Sequence, residues 1–243
     1  MYRHKSQSNK CVFSQLQSVT IRMNVSEAIH NRRSIRAFLD KAVEREQILQ
    51  LLDTARWAPS GSNIQPWQVT VLTGDAKNRL QQRLDASFRQ GMAAKRDYTY
   101  YPVQWVEPYQ ARRKACGLQL YRALQIGRDD TQRRTEQWLA NYHSFNAPVL
   151  LLFFMDNVME TGSFLDYGMF LQSLMLAAVE QGLATCPQAA LCDYADVVRD
   201  ALGYDSNKVL VCGMALGYPD LDAPINQYRT PRETAAHFTQ FLD

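Results

Sequence analysis

The sequence predicts an α+β fold, a central mixed sheet flanked by helices, and three observations carry that prediction. Strand-length apolar runs alternate along the chain with segments whose apolar residues recur at helical spacing. The most apolar strand run, Ala147 to Met155, is followed by Phe164 to Val179, which is apolar on nearly every face. A helix of that kind is buried, in a core or in a subunit interface. The third observation is balance: 243 residues, 46% hydrophobic and 21% charged, supply a large core with no linker-like stretch. Residues 23–243 are therefore expected to form one domain.

The elements follow in order. Asn24 with Glu27 reads as a capping box, and Val25, Ala28 and Ile29 share a helix face. This first helix ends in the basic run Arg32-Arg33-Ser34-Ile35-Arg36. Ile48, Leu51, Leu52 and Ala55 mark a second helix, stopped by Pro59, and Gln68 to Leu72 reads as a strand. Leu80, Leu84 and Phe88 form a third amphipathic face. Residues 96–146 are crowded with tyrosine, tryptophan and arginine; they read as helical segments covering something, with Pro102 and Pro108 in a loop. After the strand Pro148 to Met155, Ser163 with Asp166 is expected to cap the long apolar helix, which Gly182 ends. Leu183 to Cys186 reads as a strand closed by Pro187. Val197, Val198, Ala201 and Leu202 give a helix ended by Gly203, and Val209 to Leu216 a strand running into Gly217-Tyr218. Thr230, Pro231 and Glu233 suggest a capping box for a last helix.

Residues 1–22 differ from the rest, with four basic residues and no acid before Glu27, and read as a disordered leader or a start-site extension. The formal charge of +3 is too mild to call for nucleic acid. The apolar stretches look too short to cross a bilayer, so no membrane partner is expected. Five cysteines, odd in number and without a C-x-x-C pair, argue against a disulfide framework and for a cytoplasmic setting. The four histidines are scattered, and no metal site is expected.

Three segments hold chemistry. Arg32, Arg33 and Arg36 with Ser34 place three guanidiniums and a hydroxyl within five residues, a donor set suited to phosphate. Taken alone, the run reads equally as a solvated helix end. The loop Pro59 to Trp67 offers Ser60, Ser62, Asn63 and Gln65 between two prolines, a stiff polar edge for a flat ring, or an ordinary turn. Asn226, Arg229 and Arg232 follow the last strand and would add anion-binding charge, or form a surface loop. No G-x-G-x-x-G fingerprint, Walker lysine motif or G-x-S-x-G elbow is present.

In their order and spacing, Arg32 to Phe38 followed by Ala58 to Trp67 resemble the opening of the FMN-dependent nitroreductase family. The resemblance continues through the apolar helix, the strand ending at Pro187 and the Gly217-Tyr218 segment. It implies an intertwined α+β homodimer with two FMN molecules at its interface and NADH or NADPH as electron donor. It implies that Arg32 and Ser34 meet the ribityl phosphate and that Arg36 meets the pyrimidine edge of the ring. Pro59, Ser60, Ser62, Asn63 and Gln65 would reach the flavin held mainly by the other subunit. Pro187, Gln188 and Ala189 would line the ring, with Gly217 and Arg229 (or Arg232) near the ring face and the phosphate. Many relatives carry an acidic residue just after the matching proline; this chain has Gln188, Ala189 and Ala190. The activity implied is ping-pong reduction of nitroaromatic, nitrobenzoate-like or quinone acceptors, with residues 96–146 as a cap insertion over the flavin. Flavin-dependent dehalogenation is the nearest alternative, although the dehalogenating relatives differ in the loop matching Asn63 to Trp67. A nucleic-acid-binding module built on the arginine clusters is the alternative of another class.

Overall fold

A computed structural model describes residues 23–242, and the expected leader at residues 1–22 lies outside them. The chain opens with α1 (Val25–Asn31), where Asn24 Oδ1 accepts from the Glu27 amide and the Glu27 carboxylate accepts from the Asn24 amide, both at 2.9 Å. This is the reciprocal cap read from the sequence. Next come α2 (Arg45–Ala55), β1 (Gln68–Thr73) and α3 (Gly74–Arg89). The aromatic and basic segment folds as α4 (Tyr109–Ala123) and α5 (Thr131–Leu139). The second half runs β2 (Val149–Asp156), α6 (Gly162–Glu180), β3 (Ala184–Gln188), α7 (Ala195–Leu202), β4 (Lys208–Gly217) and α8 (Ala235–Phe238). Gly203 ends α7 in the left-handed conformation, φ 69°, as expected for a glycine stop.

The sheet order is β1-β2-β4-β3 and every ladder is antiparallel. The expected mixed sheet is corrected here, and the cause is topological. Helix α6 carries the chain from β2 to β3, and these two strands do run in the same direction. The later strand β4 lies between them and pairs with both, so no parallel ladder forms among the described strands. Parallel pairing survives only as isolated bridges, one of which joins Ser34 to Thr185 along the free edge of β3.

Strand β2 is buried along its length and feeds two cores. Val149, Leu151, Phe153 and Met155 face α2 and α6, packing with Leu51, Phe170 and Leu174. Leu150, Leu152 and Phe154 face α3 and α7, with Leu80, Leu84 and Val198. Period-two alternation thus serves both faces, and each such side chain contributes about 1.5–3 kcal/mol through burial. Tyr167 locks α6 to the sheet: its hydroxyl donates to the Phe154 carbonyl and accepts from the Gln68 amide.

Four local expectations are corrected. Helix α6 starts after Thr161 without a side-chain cap, because the Asp166 carboxylate accepts the Gly61 amide at 3.1 Å instead of turning back to its own helix. Helix α6 is also long and apolar enough to cross a bilayer, against the sequence expectation. Packing on α2 and the sheet buries 44% of that stretch. Pro187 lies inside β3, opposite Met214, and does not close the strand; an edge strand can spare one ladder donor. The Thr230–Glu233 box is not formed, since α8 begins at Ala235. The Thr230 hydroxyl accepts from Arg232 at 2.7 Å and Glu233 pairs with Arg112 at 3.0 Å.

Candidate functional site

The arginine run is fastened on two sides. The Ile35 amide donates to the Thr185 carbonyl at 3.0 Å, which lays the run along the edge of β3. The Arg36 amide donates to Asn226 Oδ1 at 2.8 Å, and the Asn226 amide group donates to the carbonyls of Ala37 at 2.9 Å and Asp220 at 2.7 Å. Asn226 is 1% exposed and fully engaged, so it is a clamp on this segment and not a surface anion ligand.

This fastening lets Arg32, Arg33, Ser34 and Arg36 line a cavity of about 590 Å³ together with Arg229 and Arg232. Gln172 of α6 and Tyr228 complete the wall. None of the described residues that line it is an Asp or Glu. Partial burial lowers the pKa of Arg32, and repulsion from Arg232 and then Arg229 lowers it further. Burial and Arg229 act on Arg33 in the same direction. A set of guanidiniums that repel one another around a cavity favours an anion. Arg229 and Arg232, the alternatives offered by the sequence, both line this cavity. Arg229 spends part of its fork on the last carbonyls of α1, His30 and Asn31, while Arg232 is braced on Thr230.

A second cavity of about 650 Å³ lies beyond the end of β3. Pro187, Gln188 and Ala189 form one wall, Tyr98, Tyr100 and Tyr101 another, and Phe164, Gly168 and Leu171 of α6 a third. Tyr98 packs against Phe164 with ring centroids 4.6 Å apart, and its hydroxyl donates to the Val211 carbonyl at 2.5 Å. Burial raises the pKa of this hydroxyl and of the Cys212 thiol, so both stay neutral. Gln188 is 2% exposed; its Nε2 donates to the Asn141 carbonyl at 2.6 Å, whereas its Oε1 has no partner among the described residues. A buried acceptor left unpaired costs about 1–3 kcal/mol.

Helix α6 joins the two cavities. Phe164, Gly168 and Gln172 are spaced four residues apart on one stripe, the first two lining the aromatic cavity and the third the arginine cavity. Eight residues of helix separate the ends of this stripe by about 12 Å. The combined site suits an elongated ligand with an anion at one end and a flat ring with hydrogen-bonding atoms at the other.

Two groups of expected residues lie elsewhere in the chain. The loop bearing Pro59, Ser60, Ser62, Asn63 and Gln65 lines none of these cavities. It is an exposed turn on the far side of Asp166, with left-handed backbone at Ser62 (φ 50°), Asn63 (φ 57°) and Gln65 (φ 47°). The Ser60 hydroxyl braces it by accepting the Gln65 amide at 3.0 Å. Gly217 has a packing reason for its identity: a Cβ there would lie 2.6 Å from Pro148 Cδ and 3.1 Å from Phe38 Cδ1. It does not line the cavities described above. Gln172 was missed in the sequence, where its only signal is a lone amide inside an otherwise apolar helix. The tyrosines at 98, 100 and 101 were visible as an aromatic cluster, but their place beside Gln188 was not.

Known proteins resemble this chain over most of its length. A sequence profile of the nitroreductase family matches residues 29–218. The 4-nitrobenzoate reductase of Pseudomonas putida is 39% identical over 214 residues, covering 88% of this chain and 93% of that protein. The crystal structure of the FMN and NADPH-dependent nitroreductase NfnB from Sphigopyxis sp. strain HMH superposes with a TM-score of 0.89 at 38% identity, covering 91% of this chain and all of that one. The FMN-dependent nitroreductase NfnB of Mycobacterium smegmatis, solved with NADPH, gives a TM-score of 0.85 at 35% identity, covering 90% and 97%.

Proposed function

The chain belongs to the nitroreductase family, and we propose that it is an FMN-dependent oxidoreductase that transfers electrons from NAD(P)H to nitroaromatic acceptors. The observation that carries this reading is the joined site along α6, basic at one end and aromatic at the other. FMN matches it in kind, with a phosphate for the guanidiniums of Arg32, Arg229 and Arg232 and a flat ring for the aromatic cavity. When bound, FMN supplies the redox chemistry, accepting hydride from the nicotinamide and delivering it to the acceptor.

The protein's own groups bind and tune. Arg32, Arg33, Ser34, Arg229 and Arg232 hold the phosphate, and Pro187, Gln188 and Ala189 back the ring. Arg36 holds a fixed cation where negative charge gathers during the reaction. The tyrosines at 98, 100 and 101 exclude water and offer faces on which aromatic donor and acceptor stack in turn, which gives ping-pong kinetics. A neutral amide at Gln188 adds no negative charge beside the ring, unlike the carboxylate that many relatives carry. No protein nucleophile is needed.

The working unit in this reading is a homodimer. Leu165 and Met169 lie on the outer stripe of α6, 75% and 39% exposed, and Trp57 is 79% exposed. A second copy covering this surface would bring the partner's Pro59–Gln65 loop to the ring, in keeping with its absence from the walls of the cavities described above. Four free thiols among the described residues, three of them buried, suit a reducing cytoplasm. Nitro reduction is favoured over dehalogenation by the relatives' named substrates, and quinones share the same acceptor chemistry.

The test is direct. Purified protein should be yellow and release FMN, not FAD, on heating, and it should oxidise NADPH with 4-nitrobenzoate and leave halotyrosines intact. A colourless protein that FMN does not reconstitute would sink the proposal. Preferential turnover of halotyrosine would replace it with the dehalogenase reading.

A further inference from the structure

A third cavity of about 710 Å³ lies between α4 and α5. Its walls carry six cationic side chains, Arg36, Arg113, Lys114, Arg122, Arg128 and Arg134, and no carboxylate among the described residues. The ion pairs formed on these two helices belong to their neighbours Arg112 and Arg133, so the cavity's own cations are uncompensated. Two of the guanidiniums are held over aromatic faces: Arg134 lies 4.6 Å from the centroid of Tyr121, and Arg113 lies 5.0 Å from that of Trp105. Stacking of this kind orients the fork without using its donors. Trp138, 46% exposed, adds an open aromatic face on the same wall.

The groove touches the rest of the site at two points. Arg36 lines both it and the arginine cavity, and Asn141 lines it while its carbonyl holds Gln188 of the aromatic cavity.

We propose that this groove seats the phosphates and adenine of the nicotinamide donor, and that it selects the dinucleotide with the additional ribose phosphate. The inference rests on the flavin reductase reading above and deepens it. A monoanionic acceptor needs one cation. Six cations lining one groove without a carboxylate call for a polyanion, and a diphosphate with a further phosphate meets that demand. The open face of Trp138 suits adenine.

The probe is adenosine 2′,5′-bisphosphate, titrated into the FMN-loaded protein by calorimetry at low and high salt. Arg113 and Arg128 are exposed, so the double variant R113Q/R128Q should fold as the parent does. Nucleotide binding should be salt-dependent and should weaken roughly tenfold in the variant. KM for NADPH should rise by a similar factor and that for NADH much less. FMN content, and reoxidation of chemically reduced enzyme by 4-nitrobenzoate, should match the parent. Unchanged nucleotide affinity in the variant would overturn the proposal. So would slower reoxidation by 4-nitrobenzoate with nucleotide affinity intact, which would give the groove to the acceptor carboxylate instead. Calorimetry reads the groove with or without flavin, so failure to bind FMN would count against the flavin reading alone.

Discussion

Removing Arg32 should act in opposite directions on cofactor affinity and on the stability of the cofactor-free protein. Arg32 is half-buried, and its pKa is lowered by burial and then by Arg232 and Arg229. In the cofactor-free protein this arrangement is unfavourable, since a desolvated cation faces two others. A phosphate reverses the sign. A hydrogen bond to a charged group contributes about 1.5–3 kcal/mol. The lower end applies here, because Arg32 is partly exposed and Arg33, Arg229 and Arg232 remain. Arg32→Ala should therefore weaken FMN binding by about 1.5 kcal/mol, roughly tenfold in Kd. The same change should leave the melting temperature of cofactor-free protein unchanged or slightly raised. Quenching of FMN fluorescence on titration with cofactor-free protein gives the first quantity, and thermal unfolding of the same preparation gives the second. An unchanged Kd, or a cofactor-free protein that melts several degrees lower, would refute the account of this cavity as an anion site assembled against repulsion.

Four further outcomes are expected. Arg36→Ala should lower the two-electron reduction potential of bound FMN by about 30–60 mV, the equivalent of one charge-assisted contact, with a smaller change in FMN affinity; spectroelectrochemistry decides. Gly217→Ala should cost about 1–3 kcal/mol through overpacking against Pro148 and leave the FMN Kd unaltered, which separates packing from cofactor contact at this position. Leu165→Glu with Met169→Glu should yield a monomer that loses FMN, and sedimentation showing a flavin-loaded monomer would contradict the shared site. Hydrogen bonds from Arg89 and then His143 hold the Asp85 carboxyl below its usual range, so its contribution is full above the ordinary pKa of 3.8 and is lost as pH falls through the folded value. Asp85→Asn should accordingly lower the melting temperature near neutral pH, and the gap should close in strong acid.

What was legible in the sequence is what local rules determine. The Asn24–Glu27 cap, the Gly203 stop and the apolar run of β2 each depend on a few adjacent residues. The failures share a different cause, because a distant partner claimed the side chain. Asp166 looks like a reciprocal cap until the Gly61 amide takes its carboxylate, and Glu233 does so until Arg112 pairs with it. The sheet was read as mixed because a helix between two strands implies a crossover, and only tertiary structure shows β4 inserted between them. The same holds for the site. The arginine run announced an anion by composition, whereas the unpaired Gln188 acceptor and the α6 stripe from Gln172 to Phe164 exist only after folding.

The tie between Arg36 and Asn226 has a consequence for how the protein is made. The two residues are 190 positions apart. At about 5–20 residues per second, a ribosome completes the arginine run about 10–40 s before it reaches Asn226. During that interval the run has no clamp and no facing arginines, and until β3 is made it has no sheet edge beside it. A nascent chain therefore has nothing with which to capture the cofactor. Flavin loading belongs to the released chain, and a product truncated before Asn226 should emerge colourless even where its helices have formed.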